Sequence, residues 1–237
     1  MANGMKSSFR KYLKETRRPI YSAALVLPFF LIYHIGSLFL QSTYINGADA
    51  LITRLLSALS VHSMFASALL LLACFLIWQV RTRASWDINS RKLLGLLAES
   101  LFFAMLLFFI FAYLPVPLSH ATVGIKNPGA LEKLVLYCGA GIYEELVFRG
   151  FLLGLLVLAS TRLLGMKKAP AAICSTLLAA LLFSLFHYIG PAGDRFSWAS
   201  FLQRTWGGLY FSVLFVTRGF GVTAAAHAFY DMLVGLT

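Results

Sequence analysis

The sequence predicts an all-α fold, a polytopic transmembrane helical bundle of about seven spans, and three observations carry that reading. Of 237 residues, 59% are apolar and only 12% charged, whereas soluble domains carry about 25% charged residues. Apolar runs of roughly 20 residues, enough to cross a bilayer, recur along the chain. They are continuous rather than alternating, which favours helices over the strands of a barrel. The bases gather in the short connections between these runs.

Taken in order, the first 18 positions hold Lys6, Arg10, Lys11, Lys14, Arg17 and Arg18. They form a basic cytoplasmic segment, 1–19, attracted to anionic lipid. The apolar run after Pro19 is too long for a cleavable signal and ends in no clear small-residue cleavage site, so it is expected to remain as a helix. The spans fall at roughly 20–41, 60–80, 93–114, 134–160, 171–190, 200–217 and 220–237. The breaks are chemically distinct. The stretch from Gln41 to Asp49 is polar with an Asn46-Gly47 turn, and that from Arg81 to Lys92 carries four bases. Pro115 to Lys133 holds three prolines and two glycines, Arg162 to Pro170 is basic, and Gly190 to Asp194 is a turn cluster. The last break, Arg218-Gly219-Phe220-Gly221, is tight. Two units follow the basic segment: N-terminal transmembrane helices over 20–129 and a helical core over 130–237.

Charge orients the bundle. With the N-terminus inside, the inner connections hold 14 bases and the outer ones 5, leaving Arg149 in the membrane. That bias places the C-terminus outside. The net charge of +11 is therefore a lipid signal, and the expected partner is the bilayer, not nucleic acid. Cys74, Cys138 and Cys174 show no metal-type spacing and read as small packing residues.

Within the fourth span lies Glu144-Glu145-Leu146-Val147-Phe148-Arg149-Gly150. Ionised side chains cost roughly 2.5–3.5 kcal/mol each at the centre of a membrane helix, so they are kept to pair or to do chemistry. Neighbours on a helix point about 100° apart, so Glu144 and Glu145 are expected to face different ways. Glu145 and Arg149, four apart in the acid-first order, can pair, leaving Glu144 to face a cavity. Phe183 shares a helical face with His187, and His227 shares one with Asp231. Glu144, His187, His227 and Asp231 thus come from three spans. Together they offer a general base and electrophilic groups for hydrolysis by water, or ligands for Zn²⁺. A buried structural network of the same residues is the alternative. Glu99, in the third span, reads as an unpaired intramembrane acid whose simplest role is a structural hydrogen bond. His34, His62 and His120 are expected at membrane edges or in loops.

Glu144-Glu145-x-x-x-Arg149, Phe183-x-x-x-His187 and His227-x-x-x-Asp231, in this order on successive spans, resemble the three motifs of the CAAX-processing and bacteriocin-processing (CPBP, Abi-type) intramembrane endopeptidases. The resemblance covers roughly residues 130–236. It implies a glutamate-dependent intramembrane protease in which Glu144 and His187 activate water, Glu145, Arg149 and Phe183 support the site, and His227 and Asp231 stabilise the oxyanion. It requires no cofactor, although the family has also been described as metal-dependent with Glu144, His187, His227 and Asp231 as ligands. Members often carry asparagine where Asp231 stands. An ionised aspartate cannot donate to an oxyanion, so Asp231 would act protonated, by holding His227 as an imidazolium, or on a metal. The implied partner is a membrane-anchored protein or peptide, cut near a C-terminal anchor or sorting tail. The short loops suggest a prokaryotic inner or plasma membrane, and the charge bias sets His187 near the outer face. The competing class is a scaffold or bacteriocin-immunity-type protein without catalysis. A proton-coupled transporter using Glu99, Glu144 and the histidines is a third, disfavoured because no inverted repeat is evident.

Overall fold

A computed structural model describes residues 2–40, 46–63, 65–113, 129–190 and 193–235, with the backbone alone for 2–7. The described residues are helical throughout, joined by turns and short loops, with no strand among them. In order they form α1 (Ala2–Thr16), α2 (Pro19–Phe39), α3 (Gly47–Ala58), α4 (Ala66–Thr82) and α5 (Ser90–Tyr113). Then come α6 (Ala130–Gly139), two π-helical stretches (Ala140–Glu144 and Leu146–Leu152) and α7 (Leu153–Arg162) in one continuous rod. The chain closes with α8 (Lys168–Phe186), α9 (Trp198–Arg218) and α10 (Phe220–Gly235). Helices α2, α5 and α8 are long and apolar enough to cross a membrane, and α4 is a shorter apolar helix. His120 and the stretches 41–45 and 114–128 lie outside the described residues.

Among the described residues, helical rods lie where the seven spans are expected, three of them long and apolar enough to cross a membrane, and two helices were not anticipated. The basic segment is helical as α1. Beyond the Gln41–Asp49 break, Asn46 opens α3 instead of a simple turn: its side-chain oxygen accepts from the Ala48 N–H at 2.8 Å and caps the helix. The fourth span is a rod, but π geometry replaces the α ladder where its charges lie. The break after Arg218 is as tight as its sequence suggests, because Gly219 adopts φ +87°, which glycine tolerates without strain.

Three of the four connections assigned to the inner side by charge meet at one end of the bundle. Arg18 donates to the Ser85 and Asp87 carbonyls at 3.2 and 2.9 Å, and Arg17 to that of Val216. Lys92 pairs with Glu15, and the Ile20 N–H donates to Gln79 Oε1 at 3.0 Å. Glu99 is paired after all: Arg218 lies 2.7 Å away and also reaches Thr16 Oγ1 at 3.3 Å. Its expected structural role is the one this geometry fits. At the opposite end, Ser184 Oγ donates to the Phe201 carbonyl at 2.7 Å, tying α8 to the start of α9.

The core runs along α2, the π segment and α10, with Tyr21, Leu25, Tyr33, Ile142, Tyr143, Phe211 and the run Ala224-Ala225-Ala226 buried together. Glycine sets how closely these rods approach. A Cβ on Gly141 would lie 2.5 Å from the Ala224 carbonyl oxygen and 2.8 Å from the Ala228 nitrogen. The first π turn can therefore rest directly on the α10 backbone, two turns that carry His227. His34, expected at a membrane edge, instead reaches into this core, with Nε2 2.7 Å from the Tyr143 hydroxyl. His62 is exposed.

Candidate active site

The π segment, the end of α8 and the middle of α10 bring the four chemical residues together. π turns are uncommon and recur at functional sites. Here they carry Glu144 and Arg149 and flank Glu145. Glu144 and Glu145 do not diverge; they address the two nitrogens of one imidazole. Glu145 Oε1 lies 2.7 Å from His227 Nδ1, and Glu144 Oε2 lies 3.9 Å from His227 Nε2. A carboxylate only accepts, so His227 carries hydrogen on Nδ1 and donates it to Glu145.

Glu145 is also where the expected ion pair forms. Arg149 donates from Nη1 to Glu145 Oε1 at 2.9 Å, and both side chains are almost wholly buried. The rest of the guanidinium is occupied. Nη2 donates to the Gly208 carbonyl at 3.0 Å, Nε approaches Ser212 Oγ at 3.5 Å, and the group lies 4.4 Å from the centre of the Phe183 ring. Phe183 thus supports the site as a face for a cation as well as an edge against His187, 4.9 Å between centroids. Phe211 stacks on His227 at 4.5 Å and 18°. The sequence places Asp231 on one helical face with His227. The orienting bond comes from Glu145, while Asp231 Oδ2 faces the other nitrogen, Nε2, at 3.7 Å.

His187 caps the C-terminal end of α8, where the helix has just ended and its ring is free to turn inward. Its Nδ1 donates to the Phe183 carbonyl at 2.9 Å, which leaves Nε2 aimed at Glu144 Oε2, 3.8 Å away. The separations of 3.7–3.9 Å among Glu144, His187, His227 and Asp231 are too long for direct hydrogen bonds. One water at about 2.8 Å from several of these atoms would bridge them. A cavity of about 70 Å³ lies against His187, His227 and Asp231, closed by Phe111, Tyr137, Phe183 and Tyr230. Glu144 stands behind the two histidines, 8% exposed.

Glu144 is not free, as expected, but held. Asn46 Nδ2 donates to its Oε1 at 3.0 Å, leaving Oε2 for the histidines. Reasoning from sequence missed Asn46, which read as a turn residue. The one signal for α3 was local: an asparagine followed three residues later by an acid, Asp49, is a helix-start pattern. Nothing local marks its contact with a residue 98 positions away. Among the described residues, no three His, Cys, Asp or Glu side chains are arranged to hold a metal ion.

Residues 127–233 match the family model described as Type II CAAX prenyl endopeptidase Rce1-like. No curated protein and no solved structure matches the chain. The matched stretch contains the π segment, α8, α9 and α10, hence Glu144, Glu145, Arg149, Phe183, His187, His227 and Asp231, while α1–α5 and Asn46 lie outside it. The apolar helices and this match mark an integral membrane protein of the CAAX-type protease class. Residues 127–233 are thus similar to the Rce1-like family, the same CPBP intramembrane proteases that the three motifs resemble.

Proposed function

We propose that the protein is an intramembrane endopeptidase. It hydrolyses a peptide bond near the C-terminal anchor or sorting tail of a membrane-embedded or membrane-tethered polypeptide. The observation that carries this reading is the convergence of Glu144 Oε2 on the Nε2 atoms of His187 and His227, at 3.8 and 3.9 Å, from three separate helical segments.

The chemistry follows from which atoms are already committed. His187 has spent its Nδ1 hydrogen on Phe183, so neutral Nε2 accepts from a water that also donates to Glu144 Oε2. Glu144 takes the proton as the water oxygen bonds to the scissile carbonyl carbon. His227 serves as an imidazolium: Nδ1–H stays with Glu145, and Nε2–H meets the oxyanion, with Asp231 beside it as counter-charge. Aspartate does here by charge what an amide would do by donation. Glu144 then returns its proton to the departing nitrogen as the C–N bond breaks, releasing a carboxylic acid and an amine. Arg149 holds Glu145, and through it the imidazole, in one orientation. Reading the basic end as cytoplasmic sets this chemistry in the exterior half of the bilayer.

A scaffold or immunity-type role remains the second reading, favoured by the way Arg149 and His227 both hold Glu145 at Oε1. The two separate in cells carrying Glu144→Gln or His227→Ala in place of wild type. Glutamine keeps shape and hydrogen bonding but cannot take a proton. Uncleaved C-terminal tails accumulating in the membrane proteomes of both mutants, at normal protein level, are the expected result. Unchanged processing with the wild-type phenotype intact would make the chain a scaffold.

A further inference from the structure

The residue that holds the proposed base lies outside the family match, on a helix the sequence does not announce. Asn46 is 4% exposed and each of its polar groups is committed. Oδ1 caps α3 through the Ala48 N–H at 2.8 Å, and Nδ2 donates to Glu144 Oε1 at 3.0 Å. Its backbone N–H donates to the Tyr33 hydroxyl at 3.2 Å, and that hydroxyl donates in turn to Asp49 Oδ2 at 2.6 Å. The cap contact settles which end of the amide is oxygen, so the nitrogen must face Glu144. Tyr33 is 1% and Asp49 6% exposed. The first turn of α3 is thus pinned to α2, and Asn46 projects from it as a fixed arm.

We propose that Asn46 is a positioning residue for the hydrolytic reaction, fixing Glu144 by a hydrogen bond to Oε1 so that Oε2 faces the water and the histidines. This rests on Glu144 being the base. Without the arm, the carboxylate is free to turn about its terminal bond, and Oε2 is no longer presented at a single position. The Tyr33–Asp49 pair acts through Asn46, holding the start of α3 against α2. The site is therefore completed by the N-terminal helices, and the 127–233 stretch does not supply this contact.

A cap and a positioning arm respond differently to one substitution. Aspartate caps helices as well as asparagine does, so a merely structural Asn46 tolerates Asn46→Asp. An aspartate cannot donate to Glu144 and sets a second carboxylate against it. The probe is an internally quenched peptide carrying a C-terminal membrane anchor that wild type cleaves, with purified protein in liposomes. Asn46→Asp is expected to lower kcat about 100-fold, the scale of a reacting group displaced by an ångström, with KM unchanged. Thermal unfolding of wild type, Asn46→Asp, Glu144→Gln and the double mutant gives a second readout that needs no turnover. The arm predicts that Asn46→Asp lowers Tm in wild type but not in Glu144→Gln, where the introduced amide can donate to the new carboxylate. Wild-type kcat in Asn46→Asp, or the same Tm change in both backgrounds, overturns the proposal. If Glu144→Gln itself turns over like wild type, the proposed base is wrong, and the Tm cycle alone decides whether the contact exists.

Discussion

Arg149 is 2% exposed and its nearest carboxylate, Glu145, is 0% exposed, so each is tolerable in the membrane only because of the other. Removing one partner of such a pair leaves a buried charge without compensation, at about 3–5 kcal/mol. Arg149→Ala is therefore expected to unfold at markedly lower temperature in detergent, and Arg149→Met with Glu145→Gln to recover part of that loss. An Arg149→Ala protein as stable as wild type would mean that Glu145 is held by His227 alone. The pair was legible in the sequence because four residues on one rod is a local relation, and the same is true of His227 with Asp231 and Phe183 with His187. Asn46 was not legible. Its contact with Glu144 depends on how α3 packs on the π segment, and its own residue type says only turn or cap.

At the scale of elements, the rods at the expected spans were legible because hydrocarbon demands long apolar runs, and α3 was not because Asp49 and Arg54 make it too polar for a span. The π stretches were equally hidden, since a wider turn leaves no periodic mark in so short a run. They matter most for the site, because they carry Glu144 and Arg149 and flank Glu145. Gly141 lets the first π turn touch the backbone of α10. A Cβ there meets backbone atoms at 2.5–2.8 Å, so α10 must move and His227 with it. Gly141→Ala is expected to cost about 1–3 kcal/mol, the usual cost of overpacking, and to lower turnover by more than its loss of stability explains. Wild-type kcat and Tm in this variant would show that the approach of the two helices does not matter to the site.

For the whole molecule, the charge count and the hydrogen bonds agree on which connections share an end. Arg17, Arg18, Lys92 and Arg218 all close the same end of the bundle, and His187 lies at the other. On the proposed reading of the basic end as cytoplasmic, the site faces outward. In a variant with Cys74, Cys138 and Cys174 changed to alanine, Ile189→Cys, exposed next to the site, should react with an impermeant maleimide on intact cells. Labelling only after permeabilisation would invert the molecule and open the site to the cytosol.

The central claim is that Glu144 moves the proton, and single-turnover cleavage of the quenched membrane-anchored peptide by reconstituted wild type and Glu144→Gln tests it most directly. The account predicts loss of turnover to background in the glutamine variant, with peptide binding and thermal unfolding close to wild type. Cleavage by Glu144→Gln at the wild-type rate would contradict it.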